Sequence, residues 1–289
     1  MTFRSAIPSS TIVIDDRNWQ QFAPENPLAK VDGMSRGYQS RDYDREPLGT
    51  YAAPMTSAML IPREEMYDRA VELEKTQTRL SDFALRYGVR RKDQNGTNYC
   101  WINAPTWACE LMTVLQGQEY VPLSPASGGA KIKNFRNQGG WGDQACDWIS
   151  KHGLVPVSMW PANAISRQYD KDEAWTVADR YVLTEWEEMP PDNLDYALSC
   201  YLRKIPVPIG LSWWRHLVCG CDVVVNRKPK ANAQGKISDA ELRSAFSTRI
   251  ANSWKESWGD RGFGILAGSR QVADGQCAVR SMRLISKGR

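Results

Sequence analysis

The chain has 289 residues, and its 37 Lys and Arg residues exceed its 33 Asp and Glu residues by only four. This length allows one large or two small domains with a sizeable core. The small, dispersed basic excess does not indicate nucleic-acid binding. No apolar run approaches the length needed to cross a membrane, and the first residues lack the apolar centre of a signal peptide.

The cysteine content indicates a reducing compartment. The number of cysteines is odd, and their spacing fits no common metal motif. We therefore predict no disulfide framework, no metal site and no cofactor, and a cytoplasmic or virion location. The residues are Cys100, Cys109, Cys146, Cys200, Cys219, Cys221 and Cys277.

The first 61 residues are predicted to form an irregular arm rich in proline and glycine. Residues 35–46 alternate charged and aromatic side chains, and such a segment buries little surface on itself. Either a solvated tail or an extended arm that orders on a partner fits this composition. Apolar residues at 11–14 and 59–61 favour the arm. A helix is then expected from Pro62 to about Ser81, followed by a linker to residue 88.

The remainder reads as helices followed by strands. Within about 89–204 we predict helices beginning at Cys100, near Asp143 and near residue 191, with loops at 116–127 and 155–190. From 205 onward strands dominate, which indicates an α+β fold with a site in the cleft between a helical and a β half. The predicted strands are 207–211, 216–225, 247–252, 262–266 and 278–280, interrupted by a charged insertion at 226–241 that is either solvated or a basic binding loop.

Cys100 follows a turn-rich loop and opens an apolar helix. A thiol at a helix N-terminus lies near unpaired N–H groups and the positive end of the dipole, which favours the nucleophilic thiolate. Six residues upstream, Gln94 offers a side-chain amide that could stabilise an oxyanion. From this stretch alone, a buried core cysteine is an equally good interpretation.

Two further residues complete a possible catalytic set. Of the two histidines, His152 lies at a helix end and suits a structural role, whereas His216 opens a strongly apolar strand. Asn252 ends another apolar strand. Cysteine, histidine and asparagine in this order can supply a thiolate, a proton acceptor and a residue that orients the imidazole.

Four stretches together resemble the papain-like cysteine peptidases, over about residues 89–270. The resemblance implies a two-subdomain fold, with a helical half and an antiparallel β-barrel-like half (about 205–289) that flank an active-site cleft. It implies that the chain hydrolyses peptide bonds in a protein or peptide substrate. The stretches are 94–101, with the glutamine and the Cys-Trp pair, the Gly-Gly turn at 138–141, the histidine strand at 216–220, and the asparagine segment at 252–263.

The resemblance also implies individual roles. Cys100 would be the nucleophile, His216 its acid–base partner and Asn252 the residue that orients the histidine. Gln94 would contribute to the oxyanion hole. Gly139 and Gly140 would pair with substrate backbone, and Trp254 and Trp258 would shield the site.

Some features depart from the family pattern. Asn98 and Tyr99 replace the usual Gly-Ser before the nucleophile, and Tyr99 is expected to narrow the cleft or tighten the turn. Arg215 is expected to lower the pKa of the neighbouring imidazole. Residues 1–88 do not resemble the family's inhibitory propeptide. An alternative is therefore a structural or interaction protein on a papain-like scaffold, such as a bacteriophage virion component, whose arm contacts a protein partner; neither a membrane nor a nucleic acid is an expected partner.

Overall fold

The fold combines helices with one mixed, mainly antiparallel sheet. The structure, a computed structural model, describes residues 3–23 and 35–284; residues 24–34 of the predicted arm and 285–289 of the predicted β half lie outside the described residues. Short 3-10 turns connect some of the elements. The helices are α1 (Arg63–Lys75), α2 (Leu80–Arg86), α3 (Cys100–Leu115), α4 (Pro125–Ile132), α5 (Gly142–His152), α6 (Asp172–Ala178), α7 (Leu194–Leu202) and α8 (Asp239–Ala245), and the strands are β1 (Ile12–Ile14), β2 (Leu183–Met189), β3 (Val207–Leu211), β4 (His216–Val225), β5 (Phe246–Ala251), β6 (Phe263–Leu266) and β7 (Gly275–Met282).

The sheet has the strand order β1-β6-β5-β4-β3-β7-β2. Its pairings are antiparallel except that β1 runs parallel to β6. Cys219 of β4 pairs with Ala251 of β5. Because the two strands run in opposite directions, the start of β4 and the end of β5 meet at one end of the sheet. His216 and Asn252 are brought together by this register.

Strand β4 is buried along its whole length, and its side chains alternate between two cores. Leu217, Cys219 and Cys221 belong to a core shared with α3 and α5, whereas Val218 belongs to a core shared with α1 and α7. Beyond a register shift between Gly220 and Asp222 the faces exchange, so that Val223 and Val225 belong to the second core. The two cysteines of β4 therefore pack in the interior.

Helix α3 lies in the interior rather than on the surface. Its residues from Cys100 to Val114 are all buried, and it packs against β4, β7 and α5. A helix that is covered all round is a core element. Pro105 is the sixth residue of α3, so it removes the N–H that would otherwise donate to the Trp101 carbonyl. The packing of α3 holds its first turn, with Cys100, against the start of β4.

Several elements differ from the sequence-based expectation. The helix predicted from Pro62 to Ser81 is two helices, α1 and α2, separated by a turn in which Gln77 has a φ of 53°. Helices α4 and α6 and strand β2 lie in stretches that were expected to be loops. β2 falls within the predicted helical half of the sequence and yet joins the sheet by pairing with β7.

The described parts of the arm pack on the body of the same chain. β1 adds to the sheet edge beside β6. The buried Glu188 carboxylate accepts backbone N–H groups from Gly49, Tyr51 and Ala52 at 2.6–3.1 Å. The predicted contact of the arm with another protein, and the predicted domain boundaries, stay predictions. None of the helices within residues 3–23 and 35–284 is long and apolar enough to cross a membrane.

Candidate active site

Cys100 is the first residue of α3 and is fully buried. The neighbouring backbone of Leu217, Gly37, Trp101 and Tyr38 acts to lower the pKa of its thiol. Burial nevertheless dominates and raises the pKa of the thiol to about 12. The helix terminus was expected to favour the thiolate, but in this structure the thiol is neutral because desolvation outweighs the surrounding donors.

His216 and Asn252 form a direct hydrogen bond of 2.7 Å between Nε2 and Oδ1. Asn252 Oδ1 also accepts the Ser253 backbone N–H at 2.8 Å, so the oxygen faces both groups and Nε2 must carry the imidazole proton. Nδ1 is then the basic nitrogen, and among the described residues this buried atom has no hydrogen-bond partner. Burial lowers the pKa of His216 to about 3, which leaves the imidazole neutral.

Three tryptophans surround this pair. Trp254 stacks on the His216 ring with centroids 4.5 Å apart, and Trp214 meets it edge-on at 5.0 Å. Trp258 contacts Trp254 edge-on at 6.1 Å and so lies one layer further out. Trp214 was not assigned to the site from the sequence, although its position two residues before His216 places it in the turn that enters β4. These rings exclude water from the imidazole, which explains its lowered pKa.

Gln94 is fully buried and held in one orientation. Its Oε1 accepts the Ser253 hydroxyl at 2.6 Å, and its Nε2 donates to the Thr97 carbonyl at 2.8 Å and the Ser35 carbonyl at 2.9 Å. Ser253, directly after Asn252, thus joins the glutamine loop to the asparagine segment. The Gln94 amide therefore already holds a carbonyl oxygen, that of Ser35.

Residues 35–41, here called the cleft segment, cover the site. Tyr38 forms a parallel bridge with Gly140, with Gly140 N–H to Gly37 O at 2.9 Å and Gln39 N–H to Gly140 O at 3.0 Å. A Cβ at Gly139 would lie 2.4 Å from the Gly37 carbonyl oxygen, so this glycine permits the close approach. Both glycines predicted to bind substrate backbone thus contact the chain's own N-terminal region.

The cleft segment is anchored at its far end by Arg41. The guanidinium Nη1 lies 3.2 Å from Asp143 and 3.1 Å from Glu188, and all three side chains are buried. Burial raises the pKa of Asp143 to about 7, which the Arg41 charge partly opposes. This anchor was not predicted from the sequence, because its members are far apart in the chain.

The departures from the family pattern have specific structural outcomes. Tyr99 points into the core, where its ring meets Trp101 edge-on and its hydroxyl donates to the Arg136 carbonyl at 2.8 Å. It does not narrow the cleft. The cation that lowers the pKa of His216 is Arg36 of the cleft segment, while the Arg215 side chain is exposed.

His152 stacks on Trp148 at the end of α5, with ring centroids 4.0 Å apart. It therefore lies on a different element from His216. Within residues 3–23 and 35–284, no three His, Cys, Asp or Glu side chains are grouped so as to hold a metal ion.

Comparison with known proteins identifies similar sequences and folds. No protein-family model matches the chain. Cathepsin L 2 of Paramecium tetraurelia is 23% identical over 205 residues, which is 67% of this chain and 60% of that protein, and cathepsin L 1 of the same organism is 24% identical over 199 residues. The chain thus spans 60% of the length of these curated relatives.

Solved structures share the fold at low sequence identity. Xylellain, a cysteine protease from Xylella fastidiosa, has a TM-score of 0.55 and 17% identity, covering 89% of this chain and 100% of that chain. ProCathepsin B S9 from Trypanosoma congolense has a TM-score of 0.53 and 11% identity, covering 93% and 97%. Procathepsin L 3 from Tenebrio molitor has a TM-score of 0.52 and 17% identity, covering 68% and 66%. The chain has the α+β fold of the papain-like cysteine proteases and resembles that family in sequence.

Proposed function

We propose that the chain is a latent cysteine peptidase, in which Cys100 attacks peptide bonds once the cleft segment has left the site. The observation that carries this proposal is the His216–Asn252 hydrogen bond, which fixes the imidazole tautomer and leaves Nδ1 as the base. The Leu217 backbone, next to His216, acts on the pKa of the Cys100 thiol, so the sulfur lies near the start of β4. In the proposed active form the thiol moves to within hydrogen-bonding distance of Nδ1, which among the described residues has no partner.

The proposed reaction proceeds by acyl transfer. His216 Nδ1 takes the Cys100 proton, the thiolate adds to the substrate carbonyl carbon, and the oxygen gains the negative charge. Gln94 Nε2 and the Cys100 backbone N–H donate to that oxygen. His216 then gives its proton to the departing amine, and a water molecule, deprotonated by His216, cleaves the thioester to release the acid and restore the thiol. Asn252 keeps the ring oriented throughout.

The position of the cleft segment explains why this site would be inactive in the present structure. Its backbone pairs with Gly140 and lies beside the Cys100 sulfur, where substrate backbone would have to bind. Two of the structures that share this fold are pro-forms of cathepsins by name. We therefore propose that displacement or cleavage of the cleft segment is needed before turnover.

The test is labelling and hydrolysis before and after limited proteolysis of the arm. A thiol-directed epoxide probe should label Cys100 only after the cleft segment is cut, and unfolded protein should be excluded by a sharp thermal transition. Cys100→Ala should retain the fold and lose both labelling and peptide hydrolysis. Absence of hydrolysis in cut, folded, wild-type protein would instead support the structural or interaction role on a papain-like scaffold.

A further inference from the structure

The side chain of Tyr38 is enclosed although it belongs to a segment with little regular structure. Only 6% of its surface is exposed, and its hydroxyl donates to Asp274 Oδ2 at 3.0 Å. Burial, followed by the nearby Asp274 charge, raises the pKa of the phenol well above its usual value, so it remains a donor. A buried tyrosine normally needs a partner for its hydroxyl, and this pocket provides one.

Two glycines give the pocket the shape of a tyrosine side chain. A Cβ at Gly210 would lie 2.2 Å from Tyr38 Cε2, and a Cβ at Gly275 would lie 2.7 Å from the hydroxyl oxygen. Any larger residue at either position would overlap the ring or the phenol. Side chains of Leu217 and Pro208 line the same space and supply apolar walls. The pocket thus accepts a flat ring with a polar group at its far end.

The acceptor at the end of the pocket is held by the body of the protein. Asp274 Oδ1 accepts the backbone N–H of Ser212 at 2.8 Å, and the Asp274 backbone N–H donates to the Gly210 carbonyl at 3.2 Å. These bonds do not involve the cleft segment, whose only other contribution at this carboxylate among the described residues is the Ser40 hydroxyl on Oδ2. Oδ2 therefore keeps its direction into the pocket after Tyr38 has left.

We propose that this pocket is a substrate subsite that selects tyrosine, with Asp274 as the residue that determines the selectivity. The inference rests on the proposed function, since it names the side chain that an opened cleft takes. The tyrosine belongs to the substrate residue whose backbone pairs with Gly140, the position that Tyr38 now occupies. A phenylalanine side chain would contact the apolar walls of the pocket but would leave the Asp274 carboxylate without a phenol donor. Its affinity for the pocket would therefore be lower than that of tyrosine.

The test uses Tyr38→Ala protein after limited proteolysis of the cleft segment, so that the pocket is vacated and Gly140 can pair with substrate backbone. Fluorogenic peptides of an otherwise all-alanine sequence carry one Tyr, Phe or Lys that is moved through the positions before the cleaved amide. At one position tyrosine should exceed phenylalanine in kcat/KM by about tenfold, as expected for a hydrogen bond to a charged acceptor. The additional change Asp274→Asn removes the charge of the acceptor and should lower the ratio of the tyrosine rate to the phenylalanine rate toward one. Equal rates for tyrosine and phenylalanine, a preference for lysine, or a tyrosine preference that survives Asp274→Asn would overturn the assignment.

A binding measurement decides the question even if no peptide is hydrolysed. Tyr38→Ala protein is titrated with 4-methylphenol, which is the tyrosine side chain, and with toluene, which lacks the hydroxyl. 4-Methylphenol should bind about tenfold more tightly than toluene, as measured by the ligand-induced shift in the thermal midpoint. Asp274→Asn should make the affinities for the two ligands equal. Equal affinities for the two ligands in the Tyr38→Ala protein that retains Asp274 would refute the subsite. Selective binding of 4-methylphenol without peptide hydrolysis would refute only the proposed peptidase function.

Discussion

Gly37 of the cleft segment offers a direct way to open the site without altering it. A Cβ at this position would lie 1.9 Å from the Asn98 carbonyl oxygen, which is backbone and cannot rotate away. Gly37→Ala therefore forces the cleft segment outward by about 1 Å or more, since real Cβ atoms do not approach within 3 Å of such an oxygen. The reacting side chains themselves remain unchanged.

The size of the effect follows from the bonds that Gly37 makes. Its N–H donates to the Arg215 carbonyl at 3.3 Å, and its carbonyl accepts the Gly140 N–H at 2.9 Å. Each such bond contributes about 0.5–1.5 kcal/mol net, so loss of both weakens the closed state by about 1–3 kcal/mol. Because about 1.4 kcal/mol corresponds to a factor of ten, the open population should rise by about 5- to 150-fold.

Alkylation of Cys100 measures this population. All seven cysteines are buried, so iodoacetamide reacts with the native protein only through opening, and peptide mapping reports each thiol separately. Gly37→Ala should speed modification of Cys100 by the factor above and leave the six other thiols protected. The matched control is Gly96→Ala, because a Cβ there meets nothing within 4 Å. Equal Cys100 rates in the two variants would refute the covering role, and faster labelling of all cysteines would indicate general unfolding instead.

Three other changes probe the anchor, the imidazole and the oxyanion donor. Arg41→Met leaves two buried carboxylates without their cation and should lower the free energy of unfolding in urea by about 3–5 kcal/mol, whereas Arg45→Met, at an exposed ion pair, should change it by less than about 0.5 kcal/mol. The pKa of His216 is about 3 in the folded protein and 6.5 in the unfolded chain, so the unfolded chain binds the proton first as pH falls. The free energy of unfolding should therefore decrease between pH 6.5 and pH 3 by up to about 1.4 kcal/mol per pH unit. His216→Gln should remove this part of the pH dependence. In the Gly37→Ala background, Gln94→Ala should reduce kcat by about 10²- to 10³-fold with Cys100 alkylation still fast, and an undiminished kcat would exclude Gln94 from the oxyanion hole.

The candidate site residues that could be assigned to an element from the sequence are those governed by local structure. Cys100 could be placed because an apolar helix pattern begins there, and His216 and Asn252 because each lies at the end of a recognisable strand. The register of β4 and β5 then brings the two strand ends together. Helix α4 was not predicted because its Pro-Ala-Ser-Gly-Gly sequence has the composition of a turn. Packing against α3 and α5 stabilises the helical conformation there.

The cleft segment could not have been predicted in the same way. Residues 35–41 have neither helical nor strand periodicity, and their alternating charges and aromatic rings resemble a solvated arm. Their conformation is set by partners distant in the sequence, among them Gly140, Asp274 and Glu188. Gly37 and Gly139 are the sequence features that permit this approach of two backbones. The approach can be inferred from them only once both segments are known to lie in one cleft.

Burial beneath the cleft segment both blocks access to Cys100 and His216 and keeps the two side chains uncharged. In the closed structure burial raises the pKa of the Cys100 thiol to about 12 and lowers that of His216 to about 3, so the two groups are neutral together. A thiolate–imidazolium pair needs both shifts reversed, and hydration of the open cleft acts on both in the required direction. The cleft segment also contributes Arg36, whose charge opposes protonation of His216, and its departure removes that charge. In the proposed latent peptidase, release of residues 35–41 would both open the cleft to substrate and permit ionisation of the Cys100 thiol. Cys100 of the Gly37→Ala protein should therefore alkylate with an apparent pKa well below that of the closed form.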